Sequence, residues 1–283
     1  MDPLQEAIDK ARREGDGSIG RTGPPGKQTD TQRGAASPSR ASLAGQESAS
    51  TGTLPHPSDV QYTSTRVVKL NAATLAENRI IAGDPYDSRA EIYRQLRSQV
   101  LRSMKTNNWQ TLSITSAHEN AGKTLTAINL AISISQEVSQ TVMLVDLDFL
   151  EPSIHTTLGI DVEKGILDHV LHGESLQNIM INPSLPRLVI LPGLPQQQQV
   201  SEILSSPEME KFYQEIIARY PDRLVIFDLP PLLRNDDAMV FAPYTDACLL
   251  VVEDGVTSAS DLERSLQLLQ SSQVLGTVLN KVL

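Results

Sequence analysis

Short apolar runs recur along the last two-thirds of the chain, separated by longer amphipathic segments. Most of these runs are continuously apolar, which is typical of strands buried on both faces. The predicted strands lie at 111–116, 141–146, 187–192, 223–228, 247–253 and 274–280. Segments with helical spacing lie at 88–104, 123–138, 207–219 and 258–271. Alternating strands and helices predict a doubly wound α/β fold, with a mostly parallel sheet and helices on both faces.

The N-terminal part of the chain has a different pattern. Apolar residues at helical spacing from Leu4 to Ala11 predict a short amphipathic helix within residues 1–15. Residues 16–59 are rich in Gly, Ser, Thr, Pro and Gln and contain no aromatic residue. Such a segment buries too little apolar area to offset its loss of chain entropy, so we predict a disordered linker. The folded domain is then expected to span 60–283.

Charge and composition limit the functions and the location that can be expected of this protein. The net charge of −10 argues against non-specific nucleic-acid binding, which depends on neutralising phosphates. The single cysteine, Cys248, excludes a disulfide framework or a cysteine-based metal site within one subunit. We see neither a signal-peptide pattern near Met1 nor an apolar run of membrane-spanning length. The expectation is a cytoplasmic protein that meets the inner membrane only through a partner.

A phosphate-binding loop is predicted between the strand 111–116 and the helix that follows. The stretch SITSAHENAGKT ends in Gly122, Lys123 and Thr124, although Ala117 stands where the common pattern has its first glycine. A loop that leads from a strand into a helix directs backbone N–H groups toward one point, where an anion can bind. Lys123 can reach terminal phosphates, and the Thr124 hydroxyl can coordinate Mg²⁺. The alternative is an ordinary turn with a chance Gly-Lys-Thr.

Three aspartates follow predicted strands. Asp146 and Asp148 end the stretch VMLVDLD, and Asp228 ends RLVIFD immediately before LPP. Ligands of doubly wound folds bind at these carboxyl ends of the strands. Buried carboxylates at one edge repel each other unless a cation lies between them, so the three predict a metal site. The alternative for Asp146 and Asp148 is an acidic loop or a helix cap.

Together these segments resemble a known family. Ala117–Thr124, Val142–Asp148 and Leu224–Pro231 resemble, in chain order, the A, A′ and B motifs of the bacterial tyrosine autokinases (BY-kinases) of capsule and exopolysaccharide synthesis. The similarity covers roughly 78–283 and is strongest toward the exosortase-associated type. This family lies in the MinD/ParA-like branch of P-loop ATPases. The resemblance therefore implies a P-loop NTPase fold that uses ATP and Mg²⁺.

The resemblance also implies roles for individual residues. The implied catalytic residues, with Asp146 as the base for the incoming hydroxyl, are Lys123, Asp146 and Asp148. The implied metal-binding residues are Thr124, Asp148 and Asp228. The implied nucleotide-binding residues, the last of them near the adenine, are Asn120, Ala121, Gly122, Lys123, Thr124, Leu125 and Asn280. The implied subunit contacts, whose alternative is a solvated charged face, are Glu91, Arg94 and Arg97.

At the level of the whole protein, the resemblance implies a cytoplasmic protein-tyrosine kinase that regulates polysaccharide polymerisation and export. It implies a homo-oligomer and a membrane chain-length-determinant, or polysaccharide co-polymerase, as partner. No nucleic-acid partner is expected.

The chain departs from the family pattern at charged positions. Glu119 and Asn120 replace a Pro-Gly pair, and Asn is the least costly replacement if that glycine has a positive φ. The A′ segment continues to Glu151 without the family's two arginines. Phosphoryl transfer depends on positive charge around the transferred group, so catalysis is expected to weaken more than the fold. We also expect no autophosphorylation on a tyrosine-rich tail, because the last strand is followed directly by Leu283.

Two alternatives follow from these departures. One is a pseudokinase, a catalytically weak scaffold of the polysaccharide machinery. The other is a MinD/ParA-like positioning ATPase, which is disfavoured because His118 and Glu119 occupy the region where that branch has a lysine.

Overall fold

The computed structural model describes residues 65–84 and 86–282. The predicted helix at 1–15 and the predicted linker at 16–59 lie outside these residues. All described residues belong to one compact unit of the chain.

The described residues form an eight-stranded sheet in the order β1-β4-β5-β3-β6-β2-β7-β8. The strands are β1 Arg66–Val67, β2 Thr111–Ser116, β3 Thr141–Asp146, β4 Ile181–Asn182, β5 Leu188–Leu191, β6 Arg223–Asp228, β7 Ala247–Glu253 and β8 Val274–Asn280. All neighbours are parallel except β4 and β5. The predicted mostly parallel sheet is confirmed, and all six predicted strands are present.

The helices cover both faces of the sheet. They are α1 Ala72–Glu77, α2 Ala90–Asn107, α3 Lys123–Ser135, α4 Ile154–Thr157, α5 Ile166–His172, α6 Leu176–Ile179, α7 Val200–Leu204, α8 Pro207–Arg219, α9 Asp237–Phe241 and α10 Ala259–Leu268, with a 3₁₀ turn at Ala242–Tyr244. The four predicted helices correspond to α2, α3, α8 and α10. The short helices α4 to α7 and α9 have too few residues for a clear helical period. Among the described residues, no helix combines the length and apolar character needed to span a bilayer.

Helix α3 is buried along almost its whole length and packs on one face of the sheet. Its apolar side chains, such as Ile128 and Ile132, join Ile114, Leu144 and Ile226 in one hydrophobic cluster. On the opposite face, aromatic rings dominate, including the Phe227 ring 5.1 Å from that of Phe241 between centroids. Because the strands are buried on both faces, their sequences are continuous apolar runs.

The strand register brings the three predicted carboxylates to one edge. Asp146 of β3 lies opposite Asp228 of β6, and Asp228 lies opposite Ile114 of β2 on its other side. The loop that follows β2 therefore starts beside both aspartates.

Candidate functional site

The loop between β2 and α3 has the backbone of an anion-binding turn. Asn120 has a φ of 60° and Gly122 a φ of 95°, both in the left-handed region. A Cβ at position 122 would lie 2.1 Å from Nδ2 of Asn280, so both backbone angle and space require glycine. The same Asn280 amide donates a hydrogen bond to the Ala121 carbonyl at 2.9 Å. Asn280 therefore touches the loop, while its predicted place near the adenine stays a prediction.

Lys123, Thr124, Asp148 and Asp228 form a buried group that we call the Lys123 cluster. The Lys123 ammonium lies 2.8 Å from Oδ2 of Asp148 and 3.8 Å from Oδ2 of Asp228. It also donates to the Thr124 hydroxyl at 3.1 Å, and that hydroxyl donates to Oδ2 of Asp228 at 2.5 Å. Burial lowers the pKa of Lys123, but attraction to Asp228 and Asp148 outweighs it and the pKa is raised.

Asp146 is held by backbone N–H groups. Its Oδ2 accepts from Ser153 at 3.1 Å and from Ile154 at 3.0 Å, at the start of α4. Its Oδ1 accepts from the Asp148 N–H at 3.3 Å. Burial, followed by repulsion from Asp228, raises the pKa of Asp146 to about 8. Asp146 is thus fixed in place and lies in an environment that favours its protonated form.

The Lys123 cluster fits a magnesium ion. Oδ1 of Asp228 is buried and has no hydrogen-bond partner among the described residues. Burial raises the pKa of Asp228 to about 6 despite attraction to Lys123. In the part of the chain described here, no three His, Cys, Asp or Glu side chains form a metal cage. Mg²⁺ does not require one, because it usually binds one or two carboxylates together with waters and substrate phosphates.

Arg234 is a charged residue near the site that the sequence analysis did not identify. Its Nη1 lies 2.7 Å from Oε1 of Glu119 and 2.9 Å from Oε1 of Glu151. We call these three residues the Arg234 bridge. It joins the A loop to the A′ segment from a third loop, the one after β6. The sequence does contain a clue, since both glutamates follow the ends of strands of one mostly parallel sheet.

Ser153 was also missed. Its backbone N–H holds Asp146, and its hydroxyl donates to that of Thr124 at 3.3 Å. A lone serine seven residues after a strand has no distinctive sequence pattern, so only the fold reveals it.

Comparison with known proteins shows what this chain is similar to. No protein-family model matches the chain. The chain is 28% identical over 214 residues to the tyrosine-protein kinase YwqD of Bacillus subtilis, covering 75% of this chain and 89% of YwqD. The kinase domain of the Escherichia coli tyrosine kinase ETK superposes with a TM-score of 0.67 and 25% identity, covering 77% of this chain and 89% of ETK's. The chain is thus similar, over about three quarters of its length, to bacterial tyrosine-protein kinases.

Two further proteins show how far the similarity extends. The chain is 29% identical over 210 residues to the succinoglycan biosynthesis transport protein ExoP of Rhizobium meliloti, 72% of this chain but 26% of ExoP. The septum site-determining protein MinD of Pyrococcus horikoshii, complexed with Mg-ADP, superposes with a TM-score of 0.50 and 21% identity, covering 60% of this chain and 69% of MinD's. MinD thus shares the fold over a shorter stretch than the tyrosine kinases do.

The three predicted subunit-contact residues lie on α2. Arg94 pairs with Glu91 at 2.7 Å on the helix surface. Arg97 instead points inward, donating to the Ser133 carbonyl at 2.9 Å and pairing with Glu137 at 2.9 Å. Arg97 therefore anchors α2 to the C-terminal end of α3 within one subunit. The subunit contact itself stays a prediction.

Proposed function

We propose that this protein is a bacterial tyrosine kinase (BY-kinase), which binds Mg-ATP at the loop 117–124 and transfers the γ-phosphoryl group to tyrosine in exopolysaccharide biosynthesis. The observation that supports this most is the Lys123 cluster. A lysine, a hydroxyl and two carboxylates converge behind the loop, and one buried carboxylate oxygen lacks a partner. An unpartnered buried carboxylate oxygen is costly, and a bound cation removes that cost.

Each residue of the site has a role in this proposal. The N–H groups of residues 120–124 bind phosphate oxygens, as at other helix N-termini. Lys123 exchanges its contact with Asp148 for the β- and γ-phosphates. Thr124, Asp148 and Asp228 hold Mg²⁺. When bound, Mg²⁺ neutralises charge on the transferred phosphate.

The transfer itself breaks one bond and forms one. The tyrosine oxygen bonds to the γ-phosphorus as the bond to the bridging oxygen breaks, and ADP leaves. The Asp146 carboxylate, whose ionised form a cation bound beside Asp228 would favour, accepts the tyrosine proton, and the N–H groups of Ser153 and Ile154 hold it in position.

A catalytically weak scaffold is the second candidate. It is supported by the ion pairs that Lys123 already makes with Asp148 and Asp228, and by the carboxylate of Glu151 in the A′ segment. For either function we propose a homo-oligomer that contacts a membrane chain-length-determinant protein, because the relatives include tyrosine kinases and a succinoglycan transport protein.

Calorimetry of the full chain with Mg-ATP and Mg-ADP tests the proposal. We expect micromolar binding that Lys123→Ala weakens at least about 100-fold, because a buried charged contact contributes several kcal/mol. Lys211→Ala, an exposed lysine on α8, is the matched control and should bind as the wild type does. Transfer of ³²P from γ-labelled ATP to a Glu-Tyr copolymer then separates the candidates. Transfer supports the kinase. Binding without transfer supports a nucleotide-sensing scaffold, and no binding contradicts the kinase and leaves a nucleotide-free scaffold.

A further inference from the structure

Glu119 and Glu151 pose an electrostatic problem for a nucleotide site. Both are in segments that border the site, the A loop and the A′ segment, and their side chains are 44% and 57% exposed. The nearby aspartates Asp146, Asp148 and Asp228 already face the single ammonium of Lys123. A triphosphate approaching this edge would meet further negative charge from the two glutamates.

Arg234 forms ion pairs with both glutamates. One nitrogen, Nη1, lies within 2.9 Å of a carboxylate oxygen of each. A guanidinium that bridges two carboxylates also fixes where those carboxylates point. Hydrogen bonding to Glu151 raises the pKa of Arg234, and the charge of Asp148 contributes to that rise. Arg234 is therefore close enough to the Lys123 cluster to affect its potential.

Stability alone does not account for this arrangement. Ion pairs as exposed as these contribute little to folding, typically less than about 1 kcal/mol. Their field still extends over roughly 8–10 Å at physiological salt, so it can act on an anion bound at the loop to which Glu119 belongs.

We propose that Arg234 is a positioning residue that holds Glu119 and Glu151 and offsets one of their two negative charges, so that the loop 117–124 can accept a nucleoside triphosphate. Arg234 supplies positive charge near the A′ segment, although it belongs to a different loop, the one after β6. This inference rests on the proposed ATP binding. It adds an explanation of how the site can bind ATP although two acidic residues lie in the loops beside it.

The test measures the affinity of the full chain for Mg-ATP and Mg-ADP by calorimetry. It compares a variant that lacks only the charge of Arg234 with variants that lack the charges of Glu119 and Glu151. Arg234→Gln should weaken ATP binding about tenfold and ADP binding less, because the effect scales with ligand charge. The triple variant Arg234→Gln with Glu119→Gln and Glu151→Gln should return ATP affinity to the wild-type level or above, since the net charge of the three residues changes from −2 in the single variant to zero, against −1 in the wild type. Glu119→Gln with Glu151→Gln alone should bind ATP tighter than the wild type.

Arg219→Gln is the matched control, because it removes the same charge from an exposed pair with Glu215 at the C-terminal end of α8. It should leave both affinities unchanged. Equal weakening in the single and the triple variant would overturn the proposal, because it would mean that Arg234 contacts the phosphates directly or only supports the loop. Wild-type-like ATP binding by Arg234→Gln would overturn it as well. If the wild type does not bind ATP, the proposed function fails, and this inference with it.

Discussion

The Lys123 cluster and the Arg234 bridge lie at the same edge of the sheet and have similar composition, yet they differ in burial. Each places one cation against two carboxylates. The side chains of Lys123 and Asp228 are 10% and 0% exposed, whereas that of Arg234 is 34% exposed. Charges in the buried cluster have lost their water and depend on one another. Charges in the bridge keep much of the water around them, so their interaction affects a charged ligand more than it affects folding.

The largest effect on stability is expected from Lys123→Met. This change leaves Asp148 and Asp228 buried without their cation, which costs about 3 kcal/mol or more when a buried pair is broken. Urea unfolding of the nucleotide-free protein measures it. An unfolding free energy within about 1 kcal/mol of the wild type would show that the cluster behaves like an exposed one.

Gly122→Ala should have the next largest effect. The new Cβ would sit at a φ of 95° and 2.1 Å from Nδ2 of Asn280. Strain at such a position costs about 1–3 kcal/mol, and the Asn280 contact with Ala121 has to shift. The double variant Gly122→Ala with Asn280→Ala separates the two causes, because it removes the clash but not the backbone strain. If both variants unfold at the same urea concentration, backbone strain dominates.

Asn120→Gly should change stability by less than about 1 kcal/mol, because relief of the positive φ is offset by the greater freedom of glycine when unfolded. Since Asn120 has a φ of 60°, the loop backbone is already in the shape that glycine would allow. ATP affinity should therefore also stay within about threefold of the wild type. A tenfold gain would show that Asn120 obstructs the ligand.

The smallest effect on stability is expected from Arg234→Gln, at less than about 1 kcal/mol. The same variant is expected to weaken ATP binding. This contrast between unfolding and binding measurements is what distinguishes the bridge from the cluster. A loss of stability as large as that of Lys123→Met would remove the distinction.

Much of the site could be predicted because its parts are local in sequence. The stretch Gly122, Lys123, Thr124 begins a helix, and Asp146 and Asp228 end apolar strands whose bounds match the prediction. Apolar runs of this length can be placed only as strands buried on both faces, so the ends of the strands follow from the pattern.

The ionic partners could not be predicted in the same way. Arg234 is far along the chain from both Glu119 and Glu151, and they meet because β6 lies between β3 and β2. Arg97 shows the same limit, since its helical spacing with Arg94 indicates a shared face but not its contact with Glu137.

The sequence by itself therefore determined the alternation of strands and helices, the Gly-Lys-Thr loop before a helix and the three aspartates at or just after strand ends. These features depend on periodicity and on residue types within a few positions of each other. The tertiary structure decided which charges meet, because the order of strands in the sheet sets which loops are neighbours. Only in the folded chain does Lys123 lie between Asp148 and Asp228, and only there does Arg234 lie between Glu119 and Glu151.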